Sequence, residues 1–172
     1  MGAVFNDCFW FVRVVGAMRC LCLSCTLFCL LVSNAWSLPP SYQAKVIRVI
    51  DGDTVVVAYR NKDIKVQLAW VEAPEEGQFY ALNARGLLSQ WVKGKYVTVV
   101  ELNSLSDRVL ARLYVNGRDV AVSLVSKGAA WVKVSSDHDI SLIAFQAEAQ
   151  INKRGLWQEE NPEPPWVWRR RH

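Results

Sequence analysis

The sequence predicts an α+β domain, mainly β, in which five short strands close a barrel and about three helices pack against it. Three observations lead there. β-branched runs of strand length recur between turn dipeptides, as at residues 45–50 and 54–59. Two windows, 78–92 and 141–153, switch to helical apolar spacing. The order of elements then reads strand, strand, strand, helix, strand, strand, helix, helix.

Each element has a local reason. Residues 45–50 and 54–59 flank Asp51-Gly52, which reads as a two-residue hairpin turn because both positions tolerate positive φ. Asn61-Lys62-Asp63 turns the chain into a third strand, 64–71. There Val66, Leu68 and Trp70 share one face, and Lys65, Gln67 and Ala69 the other. Pro74 stops that strand. From 78 to 92 the apolar residues Phe79, Leu82, Leu87, Leu88 and Trp91 follow a helical period, and Gly94 ends the helix. Strands follow at 96–102 and 109–115, with Asn116-Gly117 as the next turn. A short helix at 119–127 is closed by Gly128. After 129–134, a final helix at 141–153 carries Leu142, Phe145, Ala149 and Asn152 on one stripe. A helix after the third of five strands is the connectivity of an oligonucleotide/oligosaccharide-binding barrel.

The ends differ from this body. In a chain of 172 residues all five cysteines (Cys8, Cys20, Cys22, Cys25, Cys29) precede Ala35. From Met18 the text runs through one Arg and an apolar stretch to Ser33-Asn34-Ala35, the layout of a secretory leader, with Met18 as a possible start. Residues 1–35 are therefore expected to be a signal peptide and 36–42 a proline-containing linker. An uncleaved membrane anchor is the alternative. The expected location is secreted or periplasmic, with membrane attachment only through residues 1–35. Without cysteines the exported part must hold itself by its core. Setting aside Arg13, Arg19 and Asp7 leaves 18 Lys+Arg against 15 Asp+Glu, with Arg169, Arg170 and Arg171 clustered at the end of the tail and matched there by Glu159, Glu160 and Glu163. The body, 43–157, carries 15 Lys+Arg against 12 Asp+Glu. The tail, 158–172, has three prolines and two tryptophans and is expected to be extended. Trp166 and Trp168 beside the arginines suit stacking on bases or contact with a membrane surface.

Asp51, Asp53, Glu72 and Glu75, taken singly, are ordinary turn carboxylates. His138 and His172 show no metal spacing, and no Ser-His-Asp or Cys-His set is available. The strings that decide more are IDGDT at 50–54, VEAPE at 71–75, GK-V-V at 94–99, RVLARLYVNGRDV at 108–120, LVSKGAAWV at 124–132 and KRGLW at 153–157. In this order they resemble the thermonuclease family, the staphylococcal-nuclease-like domains, over about 44–157. The tail PEPPWVWRRR is similar to tails of secreted bacterial members.

The resemblance implies a calcium-dependent nuclease cutting DNA or RNA, with one divalent ion, no organic cofactor and a monomeric chain. It implies Asp53 and Glu72 as metal ligands, Asp51 as an outer carboxylate, Glu75 as the catalytic glutamate and Arg108 as one of two arginines. The other arginine falls on Gln67, which has no charge. Glu72 stands where aspartate is usual, and a tyrosine often found near Lys133-Val134 is missing. Lys65, Arg85 and Arg48 are the nearby cations that could replace the absent guanidinium.

These residue types suit the chemistry. A hard cation on oxygen ligands offsets phosphate charge. A glutamate can order or deprotonate water. An arginine grips phosphate with a planar fork. The alternative is a nuclease-like module, weakened at Gln67, that binds nucleic acid or a protein partner without cutting.

Overall fold

The computed structural model describes residues 39–133 and 140–172. The leader read at 1–35, residues 36–38 of the linker, Val134 and His138 lie outside the described residues, and Ser41 and Tyr42, read as linker, begin the first strand by pairing with Val100 and Val99. Strands β1 (Ser41–Val49), β2 (Thr54–Tyr59) and β3 (Lys62–Leu68) form an antiparallel meander. Next come β4 (Val71–Glu72), helix α1 (Ala81–Val92), β5 (Tyr96–Ser104), β6 (Val109–Val115) and β7 (Arg118–Asp119). Helix α2 (Val120–Ser126), β8 (Trp131–Val132), helix α3 (Ile140–Ile151), a 3-10 turn (Gly155–Gln158) and a short helix α4 (Pro165–Trp168) complete the order.

The sheet runs β3-β2-β1-β5-β6-β7, and β3 also pairs in parallel with β6. That last ladder, Val66 with Val109 and Leu68 with Ala111, closes five strands into the barrel that the sequence predicts. Bulges in β1 between Val46 and Arg48, and in β5 between Glu101 and Asn103, bend the two long strands around it. Val46, Val55, Val57, Val66, Leu68, Val97, Val99 and Leu113 are buried in one apolar cluster. Helices α1, through Ala84, Leu88 and Val92, and α2, through Leu124 and Val125, join the same cluster.

Several local expectations change. The β1–β2 connection is not a two-residue Asp-Gly turn. Val49 pairs with Val55, and the N–H groups of Ile50 and Asp51 both donate to Thr54 O, at 2.9 and 3.4 Å. Residues 50–53 form a wider loop, with Asp53 N donating to Asp51 Oδ1 at 2.9 Å. Gly52 is needed there for space rather than for φ. A Cβ on it would lie 2.5 Å from Ala73 Cβ and 2.9 Å from Ala84 Cβ.

The third strand ends at Leu68, because Trp70 adopts φ 62° and kinks the chain into β4. The alternation therefore fails at its end: Ala69 is buried and Trp70 half-buried. Helix α1 starts at Ala81, since Gly77 (φ 87°) and Tyr80 (φ 68°) hold the preceding residues in turns. Its buried face is Ala84, Leu88 and Val92. Leu82 is 81% exposed and Phe79 49%, so the stripe read from the larger side chains points partly outward. In α3, Leu142 and Ala149 are buried as expected, whereas Asn152 is exposed.

The tail is folded rather than extended. Pro165 is buried, and Trp166 meets the Trp131 ring edge-on at 5.9 Å. Gln78 Nε2 donates to Glu163 O at 2.9 Å, and Arg171 pairs with Glu163 at 2.7 Å. Among the described residues no helix is long and apolar enough to cross a membrane.

Because Gly52 seats the β1–β2 loop directly on Ala73, Gly52→Ala is expected to lower stability by about 1–3 kcal/mol, the range for overpacking. Urea unfolding of the two chains checks this.

Candidate active site

The kink at Trp70 delivers Glu72. Beyond it, β4 pairs with β8 (Val71 with Val132, Glu72 with Trp131), and Lys133 N donates to Trp70 O at 2.8 Å. Ala73 N then donates to Asp53 Oδ2 at 2.9 Å, tying β4 to the β1–β2 loop. Thr54 Oγ1 donates to Asp53 Oδ1 at 2.7 Å. Asp53 is 8% exposed and Glu72 5%. Glu75 follows Pro74, and its N–H is held by Gln78 Oε1 at 2.7 Å.

These side chains meet in one cavity of about 380 Å³. Seven of the nine candidates line it, Asp51, Asp53, Lys65, Gln67, Glu72, Glu75 and Arg108, and Arg48, exposed on β1, is not among them. Nor is Arg85. It stands on the exposed side of α1 and its guanidinium donates to Val49 O at 3.4 Å, because the buried face of the helix runs through Ala84 and Leu88. The parallel β3–β6 ladder explains how Arg108 arrives. Val109 sits opposite Val66, so the residue before it lies beside the β3 positions Lys65 and Gln67. Gln67 is half-buried, opposite Thr54 on one side and Leu110 on the other. Arg108 Nη1 donates to Asp107 Oδ2 at 3.0 Å, while its buried Nε has no partner among the described residues. Lys65 Nζ lies 4.0 Å from the same Asp107 oxygen.

Two further cations in the cavity were not foreseen. Lys133 Nζ is 3.0 Å from Glu72 Oε1. Arg169, from the tail, donates through Nη2 to Glu72 Oε2 at 2.7 Å and through Nη1 to Glu75 Oε1. Those bonds raise the Arg169 pKa above its ordinary value, the bond to Glu72 first. Gln78 was missed as well, although it positions Glu75. The one signal for Arg169 in the sequence was the Trp-Arg-Arg-Arg cluster.

Four carboxylates face four cations. Asp53 is the strained member: burial, and then the charge of Asp51, push its carboxyl up to about 7 from 3.8, against the Ala73 and Thr54 bonds that lower it. A buried carboxylate held high in this way gains most from a nearby cation. Among the described residues, no group of three or more His, Cys, Asp or Glu side chains gathers closely enough to hold a metal ion. The expected carboxylate set is thus not assembled by side chains alone: both Glu72 oxygens are taken by Lys133 and Arg169. The donors present, all hard oxygens in one cavity, still suit a calcium-like ion, which takes 6–8 oxygens and accepts water and phosphate among them. A larger cavity, about 680 Å³ between Trp91, Lys95 and Ser126, has no carboxylate in its lining and offers no such chemistry.

The fold and the cavity define a five-stranded barrel domain with a cleft lined by both acidic and basic side chains. The model of the staphylococcal nuclease homologue family matches residues 65–159, and the chain belongs to that family. It is similar to an uncharacterized endonuclease of Escherichia coli, 38% identical over 129 residues, 74% of this chain and 84% of the relative. It resembles an uncharacterized endonuclease of Haemophilus influenzae at 34% over 128 residues, 73% and 72% of the two chains. A micrococcal nuclease of Shigella flexneri is 30% identical over 148 residues, 79% and 83% of the two chains.

The raised Asp53 pKa has a defined sign. Its contribution to stability is present below about pH 4 and is lost as pH rises through about 7. In chelator, Asp53→Asn is therefore expected to melt roughly 3–8 °C above the native chain at pH 8, with the gap closing toward pH 5. An amide can keep both bonds, accepting from Ala73 N and donating to Thr54. Thermal melts across that pH range check it.

Proposed function

We propose that this domain hydrolyses phosphodiester bonds of DNA or RNA with the help of one divalent cation, and that calcium is the cation it uses. The single observation carrying this reading is the convergence of Asp53, Glu72, Glu75 and Arg108 on one cavity, from three separate segments of the chain. Membership of the nuclease family, and relatives whose names are endonuclease and nuclease, support it.

Asp53 and Glu72 would hold the cation, with Asp51 outside them. When bound, the cation offsets charge on the phosphate oxygens and favours an ionised water. Glu75, fixed by Gln78 Oε1 at its backbone, accepts the proton of the attacking water. The water oxygen bonds to phosphorus, the phosphorus–oxygen ester bond breaks, and the leaving oxygen is protonated from solvent. Arg108 donates from its guanidinium to a non-bridging oxygen as charge builds there. A second reading, binding without cutting, is favoured by one observation: Gln67 brings no charge to the cavity.

Plasmid DNA in calcium separates the two. The native chain is expected to nick it and to stop on addition of chelator. Glu75→Gln is expected to be slower by about 10²–10⁴-fold. Retardation of single-stranded DNA without any nicking supports the binding reading instead.

The leader composition of residues 1–35 supports export of the domain to the periplasm or medium. The mature protein is then expected to begin at Trp36, which intact mass of the exported chain checks; retention of residues 1–35 supports the membrane-anchored alternative.

A further inference from the structure

We propose that Arg169, delivered by the folded C-terminal tail, is the second phosphate-binding guanidinium of this site and stands in for the charge that Gln67 does not carry. The inference rests on the hydrolase reading above.

Arg169 and Gln67 line the same cavity, although more than a hundred residues separate them in sequence. The guanidinium spans Glu72 and Glu75, the two carboxylates at and just beyond β4. Those two bonds use one N–H of each terminal nitrogen. An arginine has five N–H donors, so three remain for a ligand. The side chain is 49% exposed, so it is open to an incoming strand.

The other cations of the cavity do not offer a second guanidinium: Lys65 is an ammonium and Arg108 is the one already assigned to the phosphate. Lys65 and Arg108 both face Asp107, and Lys133 is an ammonium without a fork. Charge makes the same point. Four carboxylates line the cavity, and without Arg169 only three cations would face them. Arg169 therefore brings the side chains of the cavity to charge balance before any cation or phosphodiester enters.

The tail is built to hold Arg169 there. Trp166 packs on Trp131, the residue paired with Glu72 across the β4–β8 ladder. Gln78 holds the Glu75 backbone with its Oε1 and the tail carbonyl of Glu163 with its Nε2. Both carboxylates that Arg169 touches are thus fastened to the segment that carries it. A simple plug over the cation's ligands is the opposing idea. However, Arg169 leaves Asp53 untouched: the Asp53 oxygens accept from Thr54 and Ala73.

The test uses the full chain with Arg169→Gln, Arg169→Lys, Trp166→Ala and the double variant Arg169→Gln/Gln67→Arg. In calcium, Arg169→Gln is expected to nick plasmid about 10²–10³-fold more slowly. Trp166→Ala should fall in the same direction, and Arg169→Lys should recover only part of the rate. Gln67→Arg should restore Arg169→Gln by at least about tenfold while changing the native chain much less, since one guanidinium then substitutes for the other. Nicking by Arg169→Gln at or above the native rate overturns the proposal and makes the tail a plug. Equal gains from Gln67→Arg in both backgrounds overturn it too.

Binding gives a readout that survives a chain that does not cut. In a Glu75→Gln background with calcium, a labelled thymidine dodecamer should bind more weakly once Arg169 is Gln. The slope of log affinity against log salt should fall by about 0.7, one phosphate contact on a single strand. An unchanged affinity and slope sinks the Arg169 inference. A native chain that binds with that Arg169 dependence but never nicks sinks the hydrolase reading alone.

Discussion

The hydrogen bond from Ala73 N to Asp53 Oδ2, 2.9 Å long and buried, is the constraint on which the site depends. It joins the β1–β2 loop to β4, two segments that the barrel alone brings near but does not lock. Gly52 allows the approach by having no Cβ, and Asp53 fixes it by accepting the amide. Burying a carboxylate is unfavourable without compensation, and here the compensation is two protein donors rather than a full opposing charge. The result is a carboxyl held up near 7, which the fold keeps strained. Strain of this kind accumulates where a group is arranged for a ligand rather than for stability.

Around that bond the barrel acts as a frame for charge. The β3–β6 ladder is parallel, so the start of β6 lies beside the end of β3 and Arg108 reaches the same mouth as Lys65 and Gln67. The kink at Trp70 then turns Glu72 inward. Acids and bases arrive by different routes: the acids from the β1–β2 loop and the residues around β4, the bases from β3, β6, the end of β8 and the tail. Each base is placed beside an acid, which keeps a crowded polar cavity compatible with a folded chain.

The tail shows how a short segment can be ordered by a few contacts. Prolines limit its freedom before folding, so less entropy is lost when it docks. Trp131 provides the surface, lying between Trp157 and Trp166 at 4.3 and 5.9 Å. Once Trp166 is seated, helix α4 sets the direction of Arg169. Packing of aromatic rings therefore determines where a charge goes.

By itself the sequence determined the closed five-strand barrel, the placement of three helices, and Asp53, Glu72, Glu75 and Arg108 as members of one acidic and basic site. The barrel was legible because strand periodicity and turn residues are local, and the four site residues because the strings at 50–54, 71–75 and 108–120 resemble those of the nuclease family. Tertiary structure alone decided that Gly52 serves close packing, that Arg85 faces away and that Gln78 holds Glu75. It also decided that Lys133 and Arg169 complete the cavity. The physical reason is that these roles depend on contacts across 20 to nearly 100 residues of chain, such as Asp53 to Ala73 and Arg169 to Glu72. No period or turn signal encodes such a distance. A proline-rich tail reads as an extended linker until the Trp131 ring is there to receive it.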